Sequence, residues 1–187
     1  MNLANKLTLL RVILVPVFMA FLLGKSMEFQ IAALVVFVIA SLTDMLDGKI
    51  ARRYNQMTTF GKFADPLADK MLTTAAFLVF MQQGIIDVWA VMIILIREFA
   101  VSGVRLAAAG EGKVIAASFF GKFKTVAQMA AIIITILINI IVTVSSTFIT
   151  RSVANHVSAA LIWISVVFTV LSGADYIVKN WGLMKLK

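Results

Sequence analysis

Four carboxylates at helical spacing in a chain that is mostly oil are the residues best placed to do chemistry. Asp44 and Asp47 lie three positions apart and Asp65 and Asp69 four apart, so each pair falls on one face of its own helix. They are four of only nine acidic residues in 187, and a charge removed from water must be neutralised, paired or bound to a cation. If the two helices are antiparallel neighbours joined by the Arg53–Ala64 connection, all four converge, and their mutual repulsion calls for one or two divalent ions. There is no cysteine and only one histidine, His156, far along the chain, which leaves hard oxygen ligands suited to Mg²⁺, Mn²⁺ or Ca²⁺. Mg²⁺ on carboxylates completes its shell with water and substrate phosphates, so the expected reaction is phosphoryl chemistry. Two such ions can stabilise entering and leaving oxygens, while a carboxylate not fully used by metal accepts a proton from an attacking hydroxyl. Gly48 and Gly61 would let a ligand approach the backbone, and Arg52 could pair with a phosphate.

The elements that must position these acids follow from hydropathy. With 61% hydrophobic and 14% charged residues, and a mean hydropathy of +1.01, the chain reads as an all-α polytopic membrane protein. Met1–Lys6 is a short interfacial segment before a first span from about Thr8 to Leu23. The second apolar run, Phe29–Thr43, would reach only about 22 Å as a helix against a hydrocarbon core of about 30 Å, so the helix must continue into the acidic stretch. Met71–Met81 is short in the same way and needs a helix start near Pro66, with Asp65 as N-cap and Pro66 in the first helical position. A fourth span starts between Ile85 and Trp89 and runs through Arg97, Glu98 and Arg105 to a break at Gly110–Lys113. A linker with Gly121, Lys122 and Lys124 precedes a fifth span, Thr125 to about Val144, and Val153–Val178 is the sixth.

Six spans place both termini on one side. Lys25 and Arg151 then fall on one face and the other basic residues at or toward the opposite one, which the positive-inside rule makes cytoplasmic. The acidic stretch shares that face, so the expected location is the cell membrane with the active site toward the cytoplasm. The formal charge of +8 is thus explained by topology, and nucleic acid is not expected as a partner, because no basic stripe lies on a soluble face. His156 reads as structural, and Asp175 as a partner of Lys179 four residues on. Arg97 and Glu98, being adjacent, do not share a helix face, and pairing elsewhere competes evenly with a substrate role.

The pattern D-x2-D-G-x2-A-R-x8-G-x3-D-x3-D, filled by Asp44, Asp47, Gly48, Ala51, Arg52, Gly61, Asp65 and Asp69, resembles the pattern of the CDP-alcohol phosphotransferases. The resemblance covers the whole chain, 1–187, as a single membrane domain of six transmembrane helices that usually forms a homodimer. It implies that Asp44, Asp47, Asp65 and Asp69 bind two ions of Mg²⁺ or Mn²⁺, and that Asp69 is also the catalytic base. Asn5, Thr8, Gly48, Ala51, Arg52 and Gly61 would line the nucleotide site. The stretches Asn5–Arg11, Arg97–Phe99 and Gly121–Thr125 with Gln128 resemble phosphatidylglycerophosphate synthases, apart from Ala4 where those often have proline. That implies CDP-diacylglycerol as donor, glycerol 3-phosphate as acceptor and membrane lipids as surroundings, with Arg105, Lys122 and Lys124 holding the acceptor phosphate. A sister enzyme for inositol phosphate, serine or another alcohol is the nearest alternative, and a divalent-cation transporter is the alternative of another class.

Overall fold

The computed structural model describes residues 3–54, 59–110, 118–145 and 150–184, and the side chains at 8–43, 70–106, 108, 110, 118–145 and 150–180. The described residues form six helices: α1 (Leu3–Leu23), α2 (Met27–Tyr54), α3 (Thr59–Gln82), α4 (Val88–Gly110), α5 (Phe119–Val144) and α6 (Arg151–Met184). No strand occurs among the described residues. Helices α1, α2 and α3 pack on one another, α5 touches α2, α3 and α6, and α4 lies against α3 and α6. Short links between contacting neighbours make α1/α2, α3/α4 and α5/α6 antiparallel pairs.

Local chemistry sets the turns. Gly84 takes a φ of +71°, with its N–H on the Met81 carbonyl (3.0 Å) and the Ile85 N–H on the Phe80 carbonyl (2.9 Å), closing α3 in a Schellman arrangement that favours glycine. Three residues on, the Asp87 carboxylate accepts from the Ala90 N–H at 3.0 Å and caps α4. Ser118 does the same for α5, accepting from the Gly121 N–H at 3.1 Å. At the α1/α2 turn a Cβ on Gly24 would lie 2.6 Å from both Cβ and Cγ of Phe29, and the Cβ, fixed to the backbone, cannot rotate away. Gly24→Ala should therefore cost about 1–3 kcal/mol, read as a lower thermal midpoint of the detergent-solubilised protein; an unchanged midpoint would refute the tight packing.

The core is apolar and centred where α1, α2, α3 and α5 meet, with Phe18, Leu22, Phe37, Phe77, Phe80, Ile132 and Ile136 enclosed. Between α5 and α6 it gives way to buried Ser158, Ser165 and Thr169. Ser165 and Thr169 satisfy themselves on the Ile162 and Ser165 carbonyls, both at 2.7 Å, and their small size lets the two helices approach closely. At one end of the bundle the Leu22 carbonyl accepts from both Gln30 (3.1 Å) and Gln83 (2.9 Å). The exterior is oily: Ile96, Phe99, Phe119, Val126, Val144 and Val178 are all more than half exposed. Helix α5 and the Arg151–Asn180 part of α6 are long and apolar enough to cross a membrane, and Thr8–Leu23, Met27–Thr43 and Lys70–Gln82 are shorter apolar stretches.

Several boundaries depart from the sequence expectations. Helix α2 does run on through the acidic stretch, as its short apolar run requires, but it continues to Tyr54. Helix α3 begins at Thr59, so Asp65 and Pro66 are inside it and neither caps nor starts it. The connection shrinks from Arg53–Ala64 to 55–58, which lies outside the described residues. An interior proline removes a backbone donor, a cost that packed membrane helices tolerate, and Pro16 inside α1 is a second instance. Helix α5 starts at Phe119 because Ser118 caps it there, which makes Gly121, Lys122 and Lys124 helical instead of linker residues. Helix α1 begins at Leu3, so Leu3–Lys6 of the expected interfacial segment are helical and continuous with the first span.

Candidate active site

Five helices frame a cavity of about 450 Å³, within the range of small-molecule sites. Its walls take Arg11 from α1, Ala40 and Ser41 from α2, and Lys70, Leu72 and Thr73 from α3. Arg97, Glu98, Ser102 and Arg105 of α4 and Gly121, Lys122, Lys124 and Gln128 of α5 complete it. The α4 and α5 groups each repeat at helical spacing, so each helix offers the cavity one polar stripe.

Described residues one turn from the motif line this cavity. Ala40 and Ser41 precede Asp44 by four and three positions on the unbroken α2, and Leu72 and Thr73 follow Asp69 by three and four on the unbroken α3. The helix positions of Asp44, Asp47, Asp65 and Asp69 therefore continue the cavity-lining stripes of α2 and α3. The side chains of Asp44, Asp47, Asp65, Asp69, Gly48, Ala51, Arg52, Gly61 and Asn5 lie outside the described residues. Among the described ones, no group of three or more His, Cys, Asp or Glu could hold a metal.

The described polar groups form a connected system. Glu98, only 6% exposed, accepts through one oxygen from two cations: Lys124 Nζ, in close contact, and Arg97 Nη1 at 3.2 Å. Arg97 Nη2 in turn donates to Ser172 Oγ of α6 at 2.5 Å. Each residue does pair elsewhere, Arg97 with Ser172 and Glu98 with Lys124, and what the sequence did not anticipate is the contact between these two neighbours, which point about 100° apart on the helix. Gly173 explains it, since a Cβ there would lie 3.1 Å from Arg97 Cγ; the notch lets the long side chain run along α6 and fold back. Below Lys124, Gln128 donates to Thr169 at 3.0 Å. Across the cavity Lys70 Nζ donates to Ser102 Oγ at 2.6 Å, tying α3 to α4 right after Asp69. The Arg105 guanidinium sits 5.6 Å over the Tyr176 ring, a cation–π contact.

Arg105, Lys122 and Lys124, singled out from the sequence, thus line one cavity, the first two exposed and the third buried against Glu98. Thr8 is buried one turn before Arg11 on α1 and is not a cavity-lining residue. His156 holds the Ser152 carbonyl of its own helix at 2.7 Å, and Lys179 pairs with Asp175 at 2.7 Å; neither belongs to the cavity. The described lining carries six cationic side chains, Arg11, Lys70, Arg97, Arg105, Lys122 and Lys124, against one carboxylate, Glu98. Such a surface, partly shielded from water and placed at the positive N-terminal end of α5, suits a multiply charged anion.

The CDP-alcohol phosphatidyltransferase family matches residues 1–171 of this chain. The chain belongs to that family. A protein of Bacillus subtilis (strain 168) named CDP-diacylglycerol--glycerol-3-phosphate 3-phosphatidyltransferase is 41% identical, covering 98% of this chain and 97% of its own length. One of the same name from Rickettsia felis is 36% identical, covering 94% and 93%. A probable phosphatidylglycerophosphate synthase of Mycobacterium tuberculosis (strain H37Rv) is 37% identical, covering 95% and 81%. In this family member all five cavity-lining helices fall within the matched residues, whereas Ser172 and Tyr176, which brace Arg97 and Arg105 from behind, fall just past them. The sequence marks Arg11 only as the end of the Asn5–Arg11 stretch and assigns Lys70 no role at a site, yet both line the cavity. The signal that could have placed Ser102 and Gln128 is spacing, four and seven residues after Glu98 and Gly121.

Proposed function

We propose that the protein transfers the phosphatidyl group of CDP-diacylglycerol to the 1-hydroxyl of glycerol 3-phosphate, giving phosphatidylglycerophosphate and CMP. The observation that carries this reading is the cation-rich cavity that begins where the aspartate-bearing stripes of α2 and α3 leave off. An anionic acceptor needs such a wall beside the carboxylates, and an uncharged one such as choline does not. The names of the similar proteins favour the same pair of substrates.

In this reading Asp44, Asp47, Asp65 and Asp69 hold two Mg²⁺ or Mn²⁺ ions. The donor set fits: four carboxylates, two on each of two contacting helices, with no sulfur or imidazole in the motif. When bound, the ions offset the charge of the diphosphate. Asp69 accepts the proton of the acceptor hydroxyl as its oxygen bonds to the phosphorus that carries diacylglycerol and the bond from that phosphorus to CMP breaks. Arg52 steadies the diphosphate, and Asn5, Thr8, Gly48, Ala51 and Gly61 border the nucleotide. Arg105, Lys122 and Lys124 orient the acceptor through its phosphate, which places the hydroxyl for attack.

The chain then forms one membrane domain over 1–187 with six spans, both termini and the site at the cytoplasmic face of the cell membrane, and it works as a homodimer. Six helices of 21 residues or more and the oily exterior support the six-span arrangement, and basic residues at one face support its orientation. The same placement lets one substrate stay in the bilayer while the other arrives from water.

The test is an acceptor panel with purified protein and labelled CDP-diacylglycerol. Glycerol 3-phosphate should support CMP release at least tenfold above serine, inositol phosphate or choline. Turnover with inositol phosphate and none with glycerol 3-phosphate would make it a sister enzyme, and metal flux into proteoliposomes without CMP release would make it a transporter.

A further inference from the structure

The cavity wall contains an acid that the proposed chemistry does not use. Glu98 is the single carboxylate among the described lining residues, is buried, and takes two cations on one oxygen, Lys124 from α5 and its own neighbour Arg97. In a cavity meant for an anion, a carboxylate subtracts from the attraction, so its presence needs a reason. Geometry supplies one. Lysine and arginine have long, rotamer-rich stems, and two such cations side by side repel and turn away from each other unless something holds them. Glu98 sits between them and draws Lys124 toward Arg97, while Ser172 and the Gly173 notch fix the Arg97 side chain.

We propose that Glu98 is a positioning residue of the acceptor site: it holds Lys124 at the cavity wall beside Arg97, which Ser172 and the Gly173 notch keep in place by themselves, so that the phosphate of the acceptor meets a preorganised pair of cations. This rests on the acceptor reading given above. Glu98 touches neither substrate nor reacting atom in this role; it acts through Lys124. The net charge of the wall stays strongly positive, and the cost of ordering the lysine is met when the protein folds instead of when the acceptor binds.

A double-mutant cycle on the full-length purified protein tests this, with KM for glycerol 3-phosphate, KM for CDP-diacylglycerol and kcat measured for each variant. Glu98→Gln should raise the glycerol 3-phosphate KM about tenfold and leave the CDP-diacylglycerol KM within about twofold. Lys124→Met should do the same, and Glu98→Gln with Lys124→Met should be no worse than Lys124→Met alone, because residues that act as a unit are not additive. An unchanged acceptor KM in Glu98→Gln would overturn the proposal, as would single effects that multiply in the double variant. If Glu98→Gln does not fold, the double variant, which removes the buried lysine charge as well, is compared with Lys124→Met: equal acceptor KM supports the proposal and a further rise overturns it. Should the wild-type protein use a different phosphorylated alcohol, the acceptor reading fails by itself, and the same comparison made with that alcohol still decides for or against Glu98.

Discussion

Asparagine in place of Asp69 should lower CMP release by about 10²–10⁴-fold, the usual weight of a general base, while binding of CDP-diacylglycerol persists. The substitution keeps the size and shape of the side chain and removes its ability to accept the hydroxyl proton. The position is the right one for that task. Asp69 lies one turn before Leu72 and Thr73, which line the cavity, and directly before Lys70, which is bonded to Ser102 across it. On α3 it is therefore the acid whose helix position is nearest the cations that would hold the acceptor. The measurement is labelled CMP release beside equilibrium binding of the CDP-lipid in detergent. Near-normal turnover would exclude Asp69 as the base, and loss of binding together with turnover would assign it to holding the donor.

Stripping divalent cations should stop turnover altogether, and Mg²⁺ should restore it. In the proposed site four carboxylates from two contacting helices would repel one another, with apolar runs on either side in the sequence. A cation binding the folded protein and not the unfolded chain also stabilises it, by about 2.7 kcal/mol at a concentration 100-fold above its dissociation constant. Mg²⁺ should thus raise the thermal midpoint in the absence of any substrate, and Asp44→Asn should reduce the rise. Full activity in excess chelator, or a midpoint indifferent to Mg²⁺, would remove the metal from the proposed function.

Much of this was legible in the residues. Six apolar or semi-apolar segments with glycine, serine and charge between them give six helices, and a second segment too short to cross a bilayer gives a helix that continues into the acidic stretch. The motif spacing placed the acids on helix faces, and the described residues one turn from Asp44 and Asp69, namely Ala40, Ser41, Leu72 and Thr73, line the cavity. Helix starts were harder to read. Thr59 begins α3 well before the proline that marks a start by propensity, and Ser118 begins α5 ahead of the two lysines that look like linker residues. For α5 the capping hydroxyl of Ser118 outweighs local preference. The contacts of Glu98 were not legible at all. The one with Arg97 depends on that long side chain slipping past a glycine on α6, seventy-six positions away in the chain, and the one with Lys124 joins two helices across twenty-six positions, neither of which a local pattern encodes. The same holds for Arg105, whose aromatic support, Tyr176, belongs to α6 as well.

The Leu22 carbonyl, which accepts from both Gln30 and Gln83, makes a single oxygen common to the ends of α1, α2 and α3. In mechanical terms it is a pivot, placed at the end of these helices away from the aspartates. From Gln30 to Asp47 the lever arm along α2 is roughly 25 Å at about 1.5 Å per residue, so a tilt of about 5° about that point would displace the Asp47 end by about 2 Å while the pivot stays assembled. Two glutamines that take no part in the proposed chemistry thus fasten α2 and the end of α3 to α1 at the end of the bundle opposite the motif.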